Sequence, residues 1–399
     1  MTTEADCMSS NGKKRSVERF SLKAVTRLYL AKHHLLRKAQ KKALGQVVDD
    51  VCGLHAQAAT TPYLSLWSRV EDFDNSLLDE ALYKSKSLVK TWVMRGTLHV
   101  TPSKDLPIFN RALRRMWFEH HGRYMRAPDW PSREERKNVI YPKIMEALAQ
   151  EALKRKDLNN RVRSLLKDDS KPYERLFSGW GGILKETAYE GLTVYAQPCD
   201  RKACFARLDK WLPNIDLNKV SEEEAQKNLF LKYLHGYGPA TQQDFVLWSG
   251  VVAGDAKKAI EGASDMIEEV EIEGAKGRFW LLKKDFRTLA SICLDERPPA
   301  ILLPKFDSIL LGHKDRTRII RDEYKKRVFK PKVGDIAATV WIDGHVAGTW
   351  KTQKTKQALS ILIAPFEKIG KEDLRDLEKR AQELGSYTGF GESKLMLAG

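Results

Sequence analysis

Two residues near the start of the chain, His55 and Gln57, are the first candidates for chemistry. Small residues surround them and would let a bulky group approach: Gly53, Ala56, Ala58 and Ala59. A neutral imidazole can accept a proton near neutral pH, and an amide oxygen can hold a water molecule by accepting its hydrogen bond. The pair could therefore position or deprotonate a water. From the spacing alone, a histidine and a glutamine on one loop are more often structural.

The charge balance indicates the kind of partner. The 399 residues include 69 Lys and Arg against 53 Asp and Glu, a formal net charge of +16. Such an excess favours an anionic partner, with nucleic acid the first candidate, although some soluble proteins are merely basic. The five cysteines are scattered and odd in number, which is typical of a reducing, intracellular compartment and not of a disulfide framework.

Further functional residue types follow the first pair and recur in the segment 90–99: Trp67, Arg69, Trp92, Arg95 and His99. The arginines could contact phosphates or could pair with acids such as Glu71 and Asp72. By default both tryptophans belong to the core, and stacking on a displaced base is the rarer alternative. A histidine that follows a strand, as His99 does, is more often structural.

Several function classes lack their sequence patterns. The chain has no apolar run long enough to span a membrane, and no second pair of ligands accompanies Cys199 and Cys204. It has no P-loop, no dinucleotide-binding glycine pattern and no His-Glu-x-x-His motif. We therefore expect no cofactor, no metal ion and no membrane association. We also expect the protein to be a monomer.

The elements that must position the candidate residues begin with helices and end in a hairpin. Apolar spacing predicts helices over Phe20–Leu44, Gly45–Leu54 and Ser76–Lys86. Thr61–Pro62 predicts an extended turn, because proline fixes its own φ and restricts the preceding residue. The alternating segment Leu88–Val100 predicts a strand or hairpin. Helices followed by a two-stranded hairpin are typical of a winged helix-turn-helix.

The same pattern recurs twice. The second copy has predicted helices over Arg133–Leu153, Leu158–Lys167 and Tyr173–Tyr189 and a strand over Gly191–Gln197. The third has helices over Ser221–Leu234, with a capping box of Ser221 and Glu224, over Ala240–Ser249 and over Ala256–Glu261. It ends in a hairpin of Val270–Ile272 and Arg278–Leu282 with a glycine-rich basic tip.

After residue 297 the composition shifts towards short strands. They are predicted at Ile301–Leu303, Ile309–Leu311, Ala337–Ile342, His345–Lys351 and Leu359–Ala364, with a tight turn at Asp343-Gly344. A charged helix, Lys371–Leu384, closes the chain with Gly385 as its C-cap.

The resulting fold class is mainly α with β. We predict a disordered basic arm over residues 1–18 and three tandem winged helix-turn-helix units over 19–128, 129–215 and 216–297. A β-barrel-like domain with a C-terminal helix occupies 298–399.

Several segments, in the right order, resemble one known family: Gly53–Arg69 (GLHAQAATTPYLSLWSR), Thr91–Pro102 (TWVMRGTLHVTP), Leu302–Asp307 (LLPKFD), Leu311–Arg316 (LGHKDR) and Val346–Trp350 (VAGTW). They are similar to the winged-helix DNA glycosylases typified by the azinomycin-resistance enzyme, which unhooks interstrand crosslinks. The resemblance implies three tandem winged helices and a C-terminal β-barrel in a C-shaped clamp. The family's catalytic motif is Gln–apolar–Gln, or Gln–apolar–Asp in a sister branch. Here it reads His55-Ala56-Gln57, so the second position matches and the first departs.

The resemblance implies hydrolysis of an N-glycosidic bond through an oxocarbenium-like sugar. A guanine alkylated at N7 is already cationic and leaves as a neutral base, so it needs a positioned water more than a general acid. We expect Gln57 to position that water and His55 to orient or deprotonate it. The motif contains no lysine nucleophile, which predicts a monofunctional enzyme without a Schiff-base step.

The expected partner is duplex DNA, alkylated or crosslinked. Candidate contacts are Arg69, Arg95, His99, Gln242 and Gln243 at a helix start, and Lys276 and Arg278 in the third hairpin, where the family probes DNA with a hairpin. The alternative is a non-catalytic winged-helix regulator that reads sequence as a symmetric dimer. A lesion enzyme would instead bind through shape and charge, with a steep salt dependence.

Overall fold

A computed structural model defines residues 17–121, 130–167, 176–177, 182–355 and 358–398. Residues 1–16, which are most of the predicted arm, lie outside the described residues. So does most of the first part of the helix predicted over Tyr173–Tyr189. None of the helices in the described ranges has the length and apolar content that a bilayer crossing requires.

The first part of the chain packs short helices around a three-stranded antiparallel sheet of order β2-β4-β3. Its elements are β1 (Glu18–Phe20), α1 (Leu22–Lys32), α2 (Leu44–Asp50), β2 (Leu54–His55), α3 (Thr61–Trp67), α4 (Asn75–Asp79), β3 (Leu88–Trp92) and β4 (Leu98–Pro102). The predicted hairpin is confirmed. The predicted site loop is in fact a short strand, a turn and a helix.

Two predictions in this part are wrong for local reasons. The helix predicted over Phe20–Leu44 ends at Lys32, because the chain turns at His34, which has a left-handed φ of 54°. The extended turn predicted at Thr61–Pro62 is the first turn of α3. Proline is accepted there because the N–H groups of a first helical turn have no intrahelical acceptor.

The second part again ends in a three-stranded sheet, of order β5-β7-β6. Its elements are α5 (Leu106–Met116), α6 (Arg133–Glu135), α7 (Tyr141–Ala147), β5 (Leu153–Lys154), α8 (Arg155–Leu166), α9 (Gly182–Tyr189), β6 (Thr193–Cys199), β7 (Lys202–Arg207) and α10 (Leu208–Trp211). The strand predicted over Gly191–Gln197 corresponds to β6.

The third part repeats the order of helices and then hairpin. Its elements are α11 (Glu222–Tyr237), α12 (Gln242–Ser249), α13 (Ala253–Gly262), β8 (Ile267–Ile272), β9 (Phe279–Leu282) and α14 (Lys283–Ala290). The predicted hairpin is confirmed, and β1 adds to it in parallel with β8. Ser221 caps α11, but the reciprocal capping box is formed at α12, by Thr241 and Asp244.

The C-terminal part is an open five-stranded sheet of order β10-β13-β14-β15-β16. Its elements are β10 (Ile301–Leu303), α15 (Lys325–Val328), β11 (Phe329–Lys330), β12 (Asp335–Ile336), β13 (Thr339–Ile342), β14 (His345–Lys354), β15 (Ala358–Pro365), α16 (Lys371–Tyr387) and β16 (Glu392–Leu397). Among the described residues β10 and β16 do not pair, so the predicted barrel does not close. The helix α16 instead packs against both of these end strands and buries Leu377, Ala381 and Leu384.

Two smaller predictions in the C-terminal part are also wrong. The segment predicted as a strand at Ile309–Leu311 belongs to a 3₁₀ turn, Ser308–Leu311. Gly385 lies inside α16, which continues to Tyr387, and is not its cap. The tight turn at Asp343-Gly344 is confirmed, since both residues have positive φ, 44° and 79°.

One continuous apolar core joins elements from all four parts of the chain. Buried tyrosines bond it to the loop that follows β10. The hydroxyl of Tyr29 donates to the carbonyl of Ile309 at 2.7 Å, and that of Tyr233 donates to the carbonyl of Gly312 at 2.7 Å. Because this loop reaches back to β2, the core fixes the C-terminal part against the candidate site.

Candidate active site

The short strand β2 brings the predicted pair together at one end of its sheet. His55 lies opposite His99 of β4 and is buried, whereas Gln57 lies just beyond the strand and is exposed. The backbone N–H of Gln57 donates to Nδ1 of His55 at 3.4 Å. The amide oxygen of Gln57 accepts the N–H of Leu98 at 3.4 Å. A carbonyl oxygen has a second lone pair, so Gln57 can still hold a water.

The ring of His55 is held between two other rings. His99 meets it edge-on, with ring centres 5.1 Å apart, and Phe306 stacks parallel to it at 5.1 Å and an interplanar angle of 10°. Phe306 has a left-handed φ of 58°, a conformation that is uncommon for a bulky residue. The backbone N–H of His55 also donates to the hydroxyl of Ser308 at 3.3 Å. The C-terminal part therefore supplies one wall of the site.

Phe306 was not among the predicted site residues. Its only signal in the sequence was its place in the segment Leu302–Asp307, which resembles a family block. Nothing in that segment indicates that its aromatic ring lies on an imidazole more than two hundred residues earlier in the chain.

Both histidines of the site are neutral at pH 7. Burial, with the positive charge of Arg95, lowers the pKa of His55 to about 3, and Asp307 opposes the shift only in part. Burial also holds the pKa of His99 well below its usual value, and His55 and Arg95 lower it further. Because Nδ1 of His55 accepts a hydrogen bond, its proton belongs on Nε2. His55 is thus a weak base, suited to orienting a water and not to deprotonating it.

Arg69 does not face solvent, so the prediction that it contacts DNA is wrong. It is fully buried and forms a two-pronged ion pair with Asp307, at 2.9 Å from Nη1 to Oδ2 and 2.7 Å from Nη2 to Oδ1. The hydroxyl of Ser65 donates to the same carboxylate at 2.8 Å. The pair joins α3 to the loop that carries Phe306, so it positions the wall of the site.

Breaking this pair is expected to destabilise the fold. Asp307→Ala leaves the buried guanidinium of Arg69 without its counter-ion and should lower the free energy of unfolding by about 3–5 kcal/mol. Urea titration would measure it. The double variant Arg69→Met/Asp307→Leu should recover most of the loss, since neither charge remains. Lys84→Gln, which removes an exposed i,i+4 pair with Glu80, is the control and should change stability by less than about 1 kcal/mol. If Asp307→Ala lowers the free energy of unfolding by less than about 1 kcal/mol as well, the Arg69–Asp307 pair does not stabilise the fold.

The other candidate residues from the segments 53–69 and 90–99 lie mostly in the core. His99 is 3% exposed and bonds through Nδ1 to the carbonyl of Thr97 at 3.0 Å, so its predicted DNA contact is wrong. Trp67 and Trp92 are buried and belong to the core. Arg95 is half-buried in the turn between β3 and β4, has a left-handed φ of 53° and donates to the carbonyl of Trp248. It remains a candidate.

The remaining predicted contacts gather around the β8–β9 hairpin. Gln242 and Gln243 begin α12, and exposed Lys276 and Arg278 lie at the hairpin tip. Clefts of about 490 and 770 Å³ flank that tip, and Gln243 and Lys276 line both. Arg278 is paired with Glu269, at 3.0 Å from Nε to Oε1 and 2.6 Å from Nη2 to Oε2, so part of its charge is already balanced.

Nowhere in the described ranges do three or more His, Cys, Asp or Glu side chains come together as ligands of a metal ion would.

The fold that positions His55 and Gln57 is shared with known enzymes that act on DNA. The solved structure of the DNA glycosylase AlkZ from Streptomyces sahachiroi matches 95% of this chain and all of its own, with a TM-score of 0.80 at 24% identity. The curated interstrand DNA cross-link repair glycosylase of Streptomyces sahachiroi is 27% identical over 369 residues, 89% of this chain and 93% of that protein.

The family model of AlkZ-like DNA glycosylases matches residues 48–387, a range that includes the whole site. The chain belongs to the AlkZ-like family of DNA glycosylases. It is an enzyme of DNA repair that hydrolyses N-glycosyl bonds. This membership sets aside the alternative of a non-catalytic regulator.

Proposed function

We propose that this glycosylase releases N7-alkylguanine from duplex DNA, as single adducts and as interstrand crosslinks, by attack of a water molecule. The observation that carries the proposal is the neutrality of the His55–Gln57 pair. Asp307, the carboxylate whose charge acts on His55, is committed to Arg69. The pair thus offers no general acid, and a base that already carries a positive charge is the one that can leave without protonation.

Gln57 supplies the acceptor for the attacking water through the free lone pair of its amide oxygen. His55 acts beside it as a neutral ring whose position is set by Phe306, His99 and the N–H of Gln57. The developing oxocarbenium ion of the sugar is positive, and an uncharged pair does not oppose it as a histidinium would. Without an amine nucleophile in the motif, the reaction ends at the abasic site.

The three helix-then-hairpin parts are proposed to be tandem winged helices that hold the duplex in a C-shaped clamp. The β8–β9 hairpin, with Lys276 and Arg278, would probe the DNA, and the start of α12, with Gln242 and Gln243, would contact its backbone. The clefts on both sides of the hairpin support this placement. We propose a monomer that acts in an intracellular compartment. The name of the curated relative, a cross-link repair glycosylase, supports crosslinked DNA as a substrate.

The test is base release from duplexes that carry one N7-alkylguanine or an N7–N7 interstrand crosslink. Mass spectrometry should show free alkylguanine, and the DNA strand should break only after alkaline treatment. Borohydride should trap no covalent adduct, because no Schiff base forms. Tight binding without release from either duplex would contradict the proposed substrate, and a trapped adduct would contradict the water mechanism.

A further inference from the structure

Two half-buried arginines near the candidate site, Arg95 and Arg316, have no carboxylate within ion-pair distance among the described residues. Arg297, for comparison, is more exposed and contacts Glu372, Asp373 and Asp376. Burying part of an arginine without a counter-ion costs free energy, so the arrangement calls for a ligand that supplies the negative charge.

Arg95 is held rigidly at the turn between β3 and β4. It donates one N–H to the carbonyl of Trp248, at the end of α12. A Cβ atom built on Gly250 would lie 3.4 Å from the Cα of Arg95, so the two backbones are in close contact. Within the described ranges this is the one hydrogen bond of the Arg95 side chain, so the other N–H groups of the guanidinium are available.

Arg316 approaches from the loop that follows β10. Its guanidinium lies 4.2 Å from the ring centre of Phe329, and its Nε is buried with no acceptor among the residues that the structure describes. The same loop is fixed by His313, whose Nε2 bonds to the carbonyl of Tyr237 at 2.9 Å. Tyr237 in turn packs on Trp248 with ring centres 5.7 Å apart. Both arginines are therefore mounted on one packed unit.

The charges of the two arginines act on one another. Burial lowers the pKa of Arg95 to about 10, and the neighbouring positive charge of Arg316 contributes to the shift. Burial also lowers the pKa of Arg316. Two like charges in a partly desolvated setting repel each other, and an anion between them would remove the repulsion. A planar guanidinium binds phosphate oxygens with two parallel N–H groups.

We propose that Arg95 and Arg316 together bind one phosphodiester of the DNA strand whose base is excised, beside His55 and Gln57. The turn that carries Arg95 leads directly into Leu98, whose N–H contacts Gln57, so the bound phosphate would set the register of the sugar against the water. This assignment rests on the proposed function. It adds a backbone anchor at the site, separate from the hairpin.

The first test measures binding to a duplex with a tetrahydrofuran abasic analogue over a series of salt concentrations. Arg95→Gln and Arg316→Gln should each weaken binding by about 10-fold or more and reduce the salt slope by about one. The double variant should also reduce the salt slope by about one, and not by two, because both side chains bind a single phosphate. Arg297→Gln removes an arginine that already has carboxylate partners and should leave the slope unchanged. A slope that the two variants leave unchanged would overturn the proposal.

The second test alters the DNA, and its first measurement uses the wild-type protein, so that measurement does not depend on a variant folding. Methylphosphonates, which are uncharged, replace single phosphates near the abasic analogue. One position should weaken binding of the wild type by about 10-fold or more and should have no effect on the double variant. If every position affects wild type and double variant equally, the arginines do not bind the backbone there.

These measurements need no catalysis. The proposed phosphate site and the proposed substrate can therefore be rejected independently of each other. Coupling between the arginines and one phosphate, without base release from any alkylated duplex, would retain the phosphate site and reject the substrate. Base release without such coupling would retain the substrate and reject the phosphate site.

Discussion

Replacing Gln57 with Leu is expected to lower the single-turnover rate of base release by about 100-fold or more, the range that a positioned proton-transfer or water-holding group supplies. The variant loses the amide oxygen and keeps a similar size. Gln57 is exposed, and its side chain makes one hydrogen bond to the described part of the chain, at 3.4 Å to Leu98. Folding should therefore be unaffected. Binding to the abasic-analogue duplex should stay within about twofold of wild type.

Gln57→Glu is the matched comparison, since it keeps an oxygen that can accept a hydrogen bond from water. We expect it to retain more activity than Gln57→Leu. Equal losses in both variants would show that the oxygen does not hold the water. If Gln57→Leu releases the base at the wild-type rate, Gln57 has no catalytic role.

The same assay tests the role of His55. With its pKa lowered to about 3, His55 stays neutral throughout the range from pH 5 to 9, so the wild-type rate should show no step near pH 6.5. His55→Asn should slow the reaction without changing the shape of the profile. A step near pH 6.5 that this variant abolishes would mean that His55 accepts the proton.

The second large effect is on stability in mild acid. Burial lowers the pKa of four histidines: His33, His55, His99 and His313. In the unfolded chain they take up protons below about pH 6.5, while in the fold they do not. The unfolded state therefore binds more protons, and stability falls as the pH falls. Each histidine contributes up to about 1.4 kcal/mol per pH unit, so the four together contribute at most about 5 kcal/mol per unit, and about half of that near pH 6.5.

Urea titrations at pH 7.5, 6.5 and 5.5 would measure this loss. His99→Asn should reduce the pH dependence by about one proton, whereas His345→Asn, which alters an exposed side chain, should leave it unchanged. A free energy of unfolding that stays constant from pH 7.5 to 5.5 would show that the buried histidines are protonated in the folded state.

Local patterns in the sequence predicted the local structure well. The hairpins at Leu88–Val100 and Val270–Leu282 were visible because alternation and turn residues act over a few positions. The His55–Gln57 pair could be proposed as a site because its small neighbours lie in one short stretch that resembles a family segment. For these features the determining contacts are between residues close in the chain.

The remainder depends on contacts between distant residues. Arg69 and Asp307 are 238 positions apart, and no pattern around Arg69 indicates its partner or its burial. The stacking of Phe306 on His55 has the same origin. The barrel prediction failed because strand spacing does not reveal that a helix, α16, packs against both end strands of the sheet.

The Arg69–Asp307 pair and the stacked Phe306 also limit how the gene can be recombined. A chimera that exchanges only the first third of the chain between two relatives would combine an α3 from one parent with a loop from the other. Where the parents differ at the contacting residues, the segments 53–69 and 302–316 must be inherited as a single unit, although they are far apart in the coding sequence. A library that treats the C-terminal part as a separable module should lose activity in those members, even where each half comes from a functional parent.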